Sequence, residues 1–271
     1  MNKIHPTAIV SDKAQIGKGV EIGAYSIIGD NVKIGARSVI KSHVVIEGFT
    51  EIGQGNIIFP FAAIGQDPQD LKFSGENSRV VIGDNNRIRE HVTIHSGTKD
   101  GGMVTTIGNN CLLMVAVHVA HDCVIGDRVI LANNVTLAGH VQLGDHVVIG
   151  GLSALHQYVR VGRGAMIGGM SGVESDVIPY GLVMGERASL AGLNLVGMKR
   201  NNLPREEIHA LRNFFKKLFT ASDQSFIARL NDLSADFDQE VVKEVVSFVK
   251  AESSRSFCQP KNNLISLKSD A

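Results

Sequence analysis

Cysteine, long apolar runs and surplus charge are the features that this sequence has little of. Its 271 residues contain three cysteines, Cys111, Cys123 and Cys258. Their odd number and irregular spacing exclude a disulfide framework and predict free thiols in a reducing compartment. No run of 18 apolar residues occurs, and the amino-terminal MNKIHPTAIVSD lacks the apolar segment of a signal peptide. We therefore expect a soluble, cytoplasmic protein with no membrane span.

The sequence also has no excess of positive or negative charge. Lysine and arginine together number 27, as do aspartate and glutamate, so the formal net charge is zero. A neutral chain has no overall field that attracts nucleic acid or an anionic membrane. The hydrophobic content of 44% is enough for a sizeable core, in one large domain or two modest ones.

What the sequence does have is an aliphatic residue at every sixth position. Eleven such positions run from Ile4 to Ile64 without a miss, three from Ile82 to Ile94, and twelve from Ile107 to Val173. A period of six fits neither a helix nor a long alternating strand, and is typical of hexapeptide β-helices. Each hexad gives a short strand and a turn, and three hexads close one triangular coil. The 26 hexads therefore predict nearly nine coils around an aliphatic axis.

Two polar segments interrupt the repeat, at residues 66–80 and 96–106. Insertions in a solenoid usually form loops on one face, often the binding face, so we expect these two to line a functional surface. An inert excursion is the alternative for each of them.

A helical pattern replaces the hexads near the carboxyl end. Ile208, Leu211, Phe215 and Leu218 recur at helical spacing after Pro204, which predicts a helix that begins there. Two further amphipathic segments, around 226–233 and 241–249, complete an expected three-helix region. From about residue 253 onward we expect a loose segment that does not pack against the rest of the chain. We expect a hexapeptide-repeat domain over residues 1–186 and a small all-α domain over residues 187–271.

The stretch VAVHVAHDCVIG, residues 115–126, holds two histidines and an aspartate. Alternation about the axial Val119 points His118 outward, and His121 and Asp122 fall at a corner of the coil, away from the axis. A solvated face is the simplest interpretation of one such histidine. Residues 18 apart lie one coil above another, so the neighbours of this cluster help to decide.

Stacking places Gly139 over His121 and His140 over Asp122, and His156 extends the group by one more coil. A base beside an approachable backbone N–H is what acyl transfer requires, because one group takes a proton and the other stabilises an oxyanion. Three outward histidines on adjacent coils exceed what a solvated face requires.

A metal site is the alternative function for this cluster. His-x-x-His with Asp122 and Cys123 beside it offers nitrogen, oxygen and sulfur ligands. Hexapeptide-repeat carbonic anhydrases hold zinc between subunits with histidines on such coils, but their longer histidine spacing is missing here. We therefore expect no metal.

Several motifs in order give the chain a more specific resemblance: IKSHVVIEG, QDLKF, RIREHVTIHSGT, HVAHDC, LANNVTLAGHV and GLNLVGMKR. Over about residues 1–204 the sequence resembles the UDP-N-acetylglucosamine O-acyltransferase family. That family has an all-β left-handed parallel β-helix followed by a small all-α carboxyl-terminal domain. It assembles as a homotrimer with active sites between subunits.

The resemblance implies an acyltransferase of lipid A and lipopolysaccharide biosynthesis. In the first step of lipid A synthesis, such an enzyme transfers an (R)-3-hydroxyacyl chain from acyl carrier protein to the 3-hydroxyl of UDP-N-acetylglucosamine. No resident cofactor is implied, since the phosphopantetheine arrives on the acyl carrier protein.

The resemblance also implies roles for single residues. The catalytic residues would be His121 as the general base, Gly139 as the backbone oxyanion donor, and Asp122. At the position of Gly169, family members measure acyl length: glycine admits long chains and methionine blocks them. The substrate-binding residues implied by the motifs are Gln69, Asp70, Lys72, His95, His118, His140, His156, Gln157, Gly169, Asn194 and Arg200.

Two residues differ from the family pattern, and two alternative functions remain open. Family members commonly have a glutamate at the position of Val196 and an arginine at the position of Asn201. The missing arginine puts some contacts to the nucleotide phosphates or to the carrier protein in doubt. An N-acyltransferase acting two steps later is one rival, although its relatives carry an extra domain before the hexads, which here begin at Ile4. A purely structural scaffold is the other rival. The residues leave open a 3-amino acceptor and the exact acyl length.

Overall fold

A computed structural model of the chain describes residues 1–220 and 223–261. Within them the hexads form 26 short strands, and every axial aliphatic residue of the repeat lies in one of them. In chain order the strands are β1 (Lys3–Ile4), β2 (Ile9–Val10), β3 (Gln15–Ile16), β4 (Glu21–Ile22), β5 (Ile27–Ile28), β6 (Lys33–Ile34), β7 (Val39–Ile40), β8 (Val45–Ile46), β9 (Phe49–Ile52), β10 (Ile57–Ile58), β11 (Ala63–Gln66), β12 (Arg79–Ile82), β13 (Arg87–Ile88), β14 (Thr93–His95), β15 (Val104–Ile107), β16 (Leu112–Leu113), β17 (His118–Val119), β18 (Val124–Ile125), β19 (Ile130–Leu131), β20 (Thr136–Leu137), β21 (Gln142–Leu143), β22 (Val148–Ile149), β23 (Ala154–Leu155), β24 (Arg160–Val161), β25 (Met166–Ile167) and β26 (Gly172–Val173).

Every third strand belongs to the same parallel sheet, so the chain winds into a three-sided prism. Sheet A begins with β1 and β4, sheet B with β2 and β5, and sheet C with β3 and β6. The three edges of the prism are called corner AB, corner BC and corner CA, after the sheets that the chain joins there. Stacking of coils supplies the hydrogen bonds that a two-residue strand cannot make alone.

The register shows where the insertions lie. Axial residues normally pair 18 apart, as Ile22 does with Ile40. Across the first insertion Ile52 pairs with Ile82, and across the second Ile82 pairs with Ile107. Both insertions fall between a strand of sheet B and the next strand of sheet C, so both extend from corner BC on successive coils. The second contains a short 3-10 helix, Lys99–Gly101.

The axial column forms the core, as the repeat predicts. Ile28, Leu113 and Leu137 are almost completely buried, whereas Ile4 is 44% exposed because no coil lies beneath the first one. Full burial of one such side chain contributes about 1.5–3 kcal/mol. Cys111, Cys123 and Cys258 are also buried, and all three are free thiols, as the sequence predicts.

In the described residues, a hairpin and four helices follow the solenoid. An antiparallel pair, β27 (Gly181–Met184) and β28 (Ser189–Leu193), closes sheet A. The helices are α1 (Leu195–Arg200), α2 (Arg205–Leu218), α3 (Phe226–Ser234) and α4 (Glu240–Lys250). None of the described helices is long and apolar enough to cross a membrane.

Two details of the helical prediction were wrong. The sequence predicted three helices, and it missed the short α1, which lies in an apolar stretch without clear periodicity. The buried aromatic of α2 is Phe214, whereas Phe215 is only partly buried. Phe214 packs edge-on against Phe237, a residue outside the predicted segments.

The segment after α4 was expected to be loose, and over residues 253–261 this expectation is wrong. Asp176 is fully buried and bonds to the guanidinium of Arg160 at 2.8 Å and to the hydroxyl of Ser253 at 2.7 Å. The backbone N–H of Cys258 donates to the carbonyl of Asp176, and Phe257 forms a bridge with the same residue. This end of the chain therefore packs against the last coils. The remainder, 262–271, lies outside the described residues.

Candidate active site

Corner BC gathers the histidines that the sequence singled out. His121 and Asp122 lie at this corner on the coil directly above the two inserted loops. Both side chains face away from the axis, as predicted, but neither is exposed, because His121 is 5% and Asp122 4% accessible. The second insertion covers Asp122, and Gly139 of the next coil packs on the ring of His121. A histidine that points outward from the core is in this way still withdrawn from water.

The Asp122 carboxylate is held by the second insertion. The backbone N–H of Thr98 donates to both carboxylate oxygens, at 2.9 and 3.1 Å, and the Thr98 hydroxyl donates to Oδ2 at 2.6 Å. The backbone N–H of Asp122 donates to the hydroxyl of Thr105 at 2.8 Å. The backbone of Gly101 packs directly on the carboxylate and leaves no room for a Cβ atom. Asp122 is therefore fixed in position and in its acceptor role.

The same carboxylate orients His121. Nδ1 of His121 lies 2.8 Å from Oδ2 of Asp122. A carboxylate with this many donors around it is an acceptor, so Nδ1 carries the proton of the neutral ring and Nε2 keeps its lone pair. That arrangement suits a general base.

Gly139 stacks on His121, as the 18-residue spacing predicts. A Cβ atom at this position would lie 2.5–2.6 Å from Cε1 and Nε2 of the imidazole, so glycine is required by space and not by backbone conformation. Its N–H donates to no atom of the described residues, whereas that of the next residue, His140, donates to the carbonyl of His121 at 3.0 Å. A free backbone donor thus lies beside the free nitrogen of the base.

Neighbouring rings extend the cluster in both directions. His140 contacts His121 edge to face at 5.0 Å between centroids and stacks on Tyr158 at 4.3 Å. Below, His118 contacts His95 edge to face at 5.0 Å. Four histidine rings and one tyrosine ring follow this corner.

Burial keeps three of these rings neutral. It lowers the pKa of His95 to about 4, with further lowering from His118 and His121. Burial also lowers the pKa of His118 and of His140, and for His140 the nearby Asp122, Asp70 and Asp100 oppose the shift. Among the described residues, the buried Nδ1 of His95 has no hydrogen-bond partner. Neutral imidazoles at this corner can accept or donate single hydrogen bonds to a polar ligand.

The first insertion lies beside the second. Lys72 is exposed, and its ammonium is 3.6 Å from a carboxylate oxygen of Asp100. Asp70 is half-buried and near enough to His140 to influence its pKa, while Gln69 is exposed. The structure therefore brings the QDLKF loop to the histidine cluster, as the sequence predicted for a functional surface.

His156 and Gln157 lie at the same corner, two coils above His121. Both are exposed. Arg255, from the carboxyl-terminal segment, reaches them: its guanidinium contacts Nδ1 of His156 at 2.6 Å and donates to the carbonyl of Gln157 at 3.0 Å. Sequence reasoning missed Arg255 because the segment around it has no periodic pattern.

Three of the expected residues lie at other corners. Gly169 is at corner AB, stacked on Gly151. Asn194 caps α1 by accepting from the N–H of Gly197 at 3.0 Å, and its side chain donates to the carbonyl of Gly164 at corner CA. Arg200 lies at the end of the same helix. Within one chain these three residues are not brought together with His121.

The cluster must also be considered as a metal site. Donor atoms of His121, Asp122 and His140 lie within 4.8 Å of one another. However, both oxygens of Asp122 already accept hydrogen bonds from Thr98, and Oδ2 also contacts Nδ1 of His121. A metal ion would have to displace these buried bonds, so the arrangement favours an oriented base.

Sequence reasoning missed the residues that hold the site. Thr98 and Gly101 fix Asp122, Thr105 fixes its backbone, and Thr93 bonds to Nδ1 of His118 at 2.7 Å. A usable signal was present for two of them, because the second insertion, SGTKDGG, is rich in glycine and in residues with short hydroxyl side chains.

The fold and this cluster define a hexapeptide-repeat transferase. The family model described as bacterial transferase hexapeptide (six repeats) matches residues 13–48 and 105–139. A second family model, described as UDP N-acetylglucosamine O-acyltransferase, domain 2, matches residues 176–258.

Whole-chain comparisons are more specific. A protein of Rickettsia canadensis, named acyl-(acyl-carrier-protein)–UDP-N-acetylglucosamine O-acyltransferase, is 50% identical over 258 residues, which are 95% of this chain and 97% of that protein. A protein of the same name from Azorhizobium caulinodans is 46% identical and covers 97% of both chains. The solved UDP-N-acetylglucosamine acyltransferase from Campylobacter jejuni superposes with a TM-score of 0.91 at 42% identity, covering 96% of this chain and 100% of that one.

The chain therefore belongs to the acyl-carrier-protein-dependent UDP-N-acetylglucosamine O-acyltransferase family. Its fold is the left-handed parallel β-helix of that family, followed by a carboxyl-terminal helical region. Both expectations drawn from the motifs are confirmed.

Proposed function

We propose that this protein transfers an (R)-3-hydroxyacyl chain from acyl carrier protein to the 3-hydroxyl of UDP-N-acetylglucosamine, the first step of lipid A biosynthesis. The observation that carries the proposal is the pairing of His121 with Gly139. An imidazole oriented by a buried carboxylate lies at one corner beside a glycine whose N–H donates to no described residue. Membership of the family supplies the substrates.

His121 acts as the general base. Nε2 takes the proton of the sugar hydroxyl as the oxygen attacks the thioester carbonyl carbon, and Asp122 stabilises the imidazolium that forms. The C–S bond then breaks, and the imidazolium returns its proton to the departing pantetheine thiolate. No resident cofactor or metal takes part in this sequence.

Gly139 supplies the oxyanion donor. Among the described residues its N–H has no acceptor, and the glycine itself packs against the base, so one substrate carbonyl can be near both groups. A backbone donor is fixed before the reaction and does not reorganise, which is why one such donor is worth about 10²–10³ in turnover. His95, His118, His140 and the QDLKF loop surround this point as neutral or polar contacts for the sugar.

The active form is a homotrimer with its sites between subunits. His121 lies at corner BC, Gly169 at corner AB, and the surroundings of Asn194 and Arg200 at corner CA. Three corners of one prism point in three directions. One cleft can contain all of these residues only if neighbouring copies present different corners to it. We place the enzyme in the cytoplasm, where its three buried thiols stay reduced.

Mass spectrometry of the reaction products tests the proposal. Purified protein is incubated with 3-hydroxyacyl carrier proteins of several lengths and either UDP-N-acetylglucosamine or its 3-amino analogue. We expect an O-acylated sugar nucleotide from the first acceptor. Exclusive acylation of the amino analogue would replace the proposed acceptor, and no product from either would favour a scaffold. The His121→Ala variant is the negative control.

A further inference from the structure

Corner CA holds a cleft with three arginines, well away from the histidine cluster. Its volume is about 600 Å3. The solenoid forms one wall and the end of α1 the other. No carboxylate is among the described residues that line it, and its polar lining includes Arg128, His146, Arg163, Tyr180, Arg200 and Asn201.

The three guanidinium groups are unpaired. Over the described residues, Arg128, Arg163 and Arg200 form neither an ion pair nor a side-chain hydrogen bond. Two nearby carboxylates have other partners. Asp127, which precedes Arg128, accepts from the N–H of Asn109 at 2.7 Å, and Asp145, which lies one coil below Arg163, accepts from the N–H of Asp127 at 2.8 Å. Like charges that share a cleft repel one another, so this arrangement is stable only with water or an anion between them.

The positive charges of the arginines also act on a histidine in the cleft. His146 is half-buried; burial lowers its pKa most, and the charges of Arg163 and Arg128 lower it further, against the weaker effect of Asp145 and Asp127. Two guanidinium groups therefore act on one point inside the cleft.

The basic lining continues beyond this cleft. A neighbouring cleft of about 650 Å3 shares Asn202 and Leu203 with the first. In the part of the chain that the structure describes, its charged lining is again basic, with Lys199, Arg205 and Arg212, and His209 beside them. In a chain of zero net charge, this local excess is a concentrated positive surface.

We infer that the arginine cleft binds a phosphate ester of a substrate, with Arg128, His146 and Arg163 as phosphate-binding residues beside Arg200. The inference rests on the proposed function, because both of its substrates carry such a group: the diphosphate of the nucleotide sugar and the phosphodiester of the pantetheine arm. A planar guanidinium donates two parallel hydrogen bonds to phosphate oxygens, and its charge remains at any physiological pH.

Two substitutions with a matched control test the inference. Arg128→Gln and Arg163→Gln each remove one charge from the cleft. Arg37→Gln is the control, because Arg37 occupies the same corner column with the same backbone conformation, φ 59° against 56° for Arg128, but four coils away. Four coils are about 19 Å. Binding of UDP and of pantetheine 4′-phosphate is measured by calorimetry for the wild type and each variant.

We expect Arg128→Gln and Arg163→Gln to weaken binding of one probe by roughly tenfold or more, and to flatten its dependence on salt concentration. The probe that loses affinity identifies the phosphate source. Unchanged affinity for both probes, or an equal loss in the Arg37→Gln variant, overturns the inference. Probe binding needs no turnover, so the two tests are independent. An absence of acylated product in the wild type would reject the proposed function, whereas the binding measurements alone test phosphate binding in the cleft.

Discussion

Nδ1 of His121 lies 2.8 Å from Oδ2 of Asp122, and that carboxylate is itself held by Thr98. If His121 is the base, His121→Ala will lower kcat by about 10²–10⁴ without unfolding the protein, because the side chain faces away from the axis. His118→Ala will cost less. Steady-state kinetics with circular dichroism as the fold control measure both. Near-normal turnover of His121→Ala would remove this residue from the mechanism.

The Asp122 carboxylate gives a second prediction about the same pair. In Asp122→Asn an amide replaces the charge, so the preferred proton position on His121 and the stabilisation of its imidazolium are lost. We expect kcat to fall by at least about tenfold while KM changes little. Thr98→Val removes one hydrogen bond to the carboxylate and leaves its charge, and is the milder comparison. A chelator should leave the wild type active, and loss of activity that zinc restores would favour the metal alternative.

The buried His95 predicts a pH dependence of stability. Its pKa falls from an ordinary value of 6.5 to about 4 in the folded chain, mainly through burial. The unfolded chain therefore binds the extra proton first, so the contribution of His95 is complete above about pH 6.5 and is lost as the pH falls towards 4. The full effect is about 3 kcal/mol.

Urea denaturation at pH 7 and 4.5 measures this contribution. In His95→Phe the free energy of unfolding should fall less between the two pH values than in the wild type. His43→Phe removes an exposed histidine by the same substitution and is the matched control. Parallel curves for wild type and His95→Phe would show that His95 is not the group responsible.

The axial column predicts the sharpest effect on stability. Leu137 is fully buried, whereas its neighbour Thr136 in β20 is exposed. Leu137→Asp places an unpaired charge in the column and should cost several kcal/mol, a large part of the total stability of a domain. Thr136→Asp is the matched control and should leave the thermal midpoint nearly unchanged. Size-exclusion chromatography on the same samples tests the trimer, and a wild-type monomer at micromolar concentration would contradict a shared active site.

The repeat explains why so much of the fold was predictable. An aliphatic residue at every sixth position determines strand, corner and axis together, so the stacking of Gly139 on His121 followed from the spacing of 18. The same rule could not describe the insertions, because there the offset between paired residues is no longer 18. The cover over Asp122 comes from Thr98 and Gly101 in such a segment, and for that reason the burial of this carboxylate was not foreseen.

Aperiodic segments account for the other differences. The contact between Arg255 and His156 depends on the packing of Ser253 against Asp176, and helix α1 is tied to the solenoid by the bond from Asn194 to Gly164. No local sequence pattern encodes either of these tertiary contacts. The assignment of Asn194 and Arg200 came only from motif resemblance. The hexad pattern does not predict that, within a single chain, these two residues lie away from the histidine cluster.

Arg255 predicts the tautomer of His156. A guanidinium only donates, so Nδ1 of His156 must accept, and the proton of the neutral ring lies on Nε2, free to bond to a substrate. Nitrogen-15 NMR of histidine-labelled protein should show this tautomer in the wild type. We expect Arg255→Ala to mix the two tautomers and to raise the KM for the acyl donor more than it lowers kcat. Arg255→Lys keeps a donor and should restore part of the effect; identical spectra for wild type and Arg255→Ala would contradict the assignment.

Gly169 gives a prediction about acyl length, as the family resemblance implies. A Cβ atom at Gly169 would meet only the backbone of Gly151, at 3.3 Å or more, and its φ is not in the left-handed region, so a side chain is tolerated there. The column of glycines at this corner offers space for a long chain, and we expect preference for a donor of around fourteen carbons.

Gly169→Met should block the far end of that space. Each methylene excluded from an apolar groove forfeits about 0.8 kcal/mol, so loss of about four carbons corresponds to roughly 3 kcal/mol, or about 10² in relative kcat/KM. Competition between short and long 3-hydroxyacyl carrier proteins in one reaction measures the ratio directly. If Gly169 only served a tight turn, the methionine variant would lose stability and slow with every donor alike. An unchanged product ratio would therefore reject its role in measuring chain length, whereas a shift towards shorter chains in a stably folded variant is the result that the open backbone at this corner predicts.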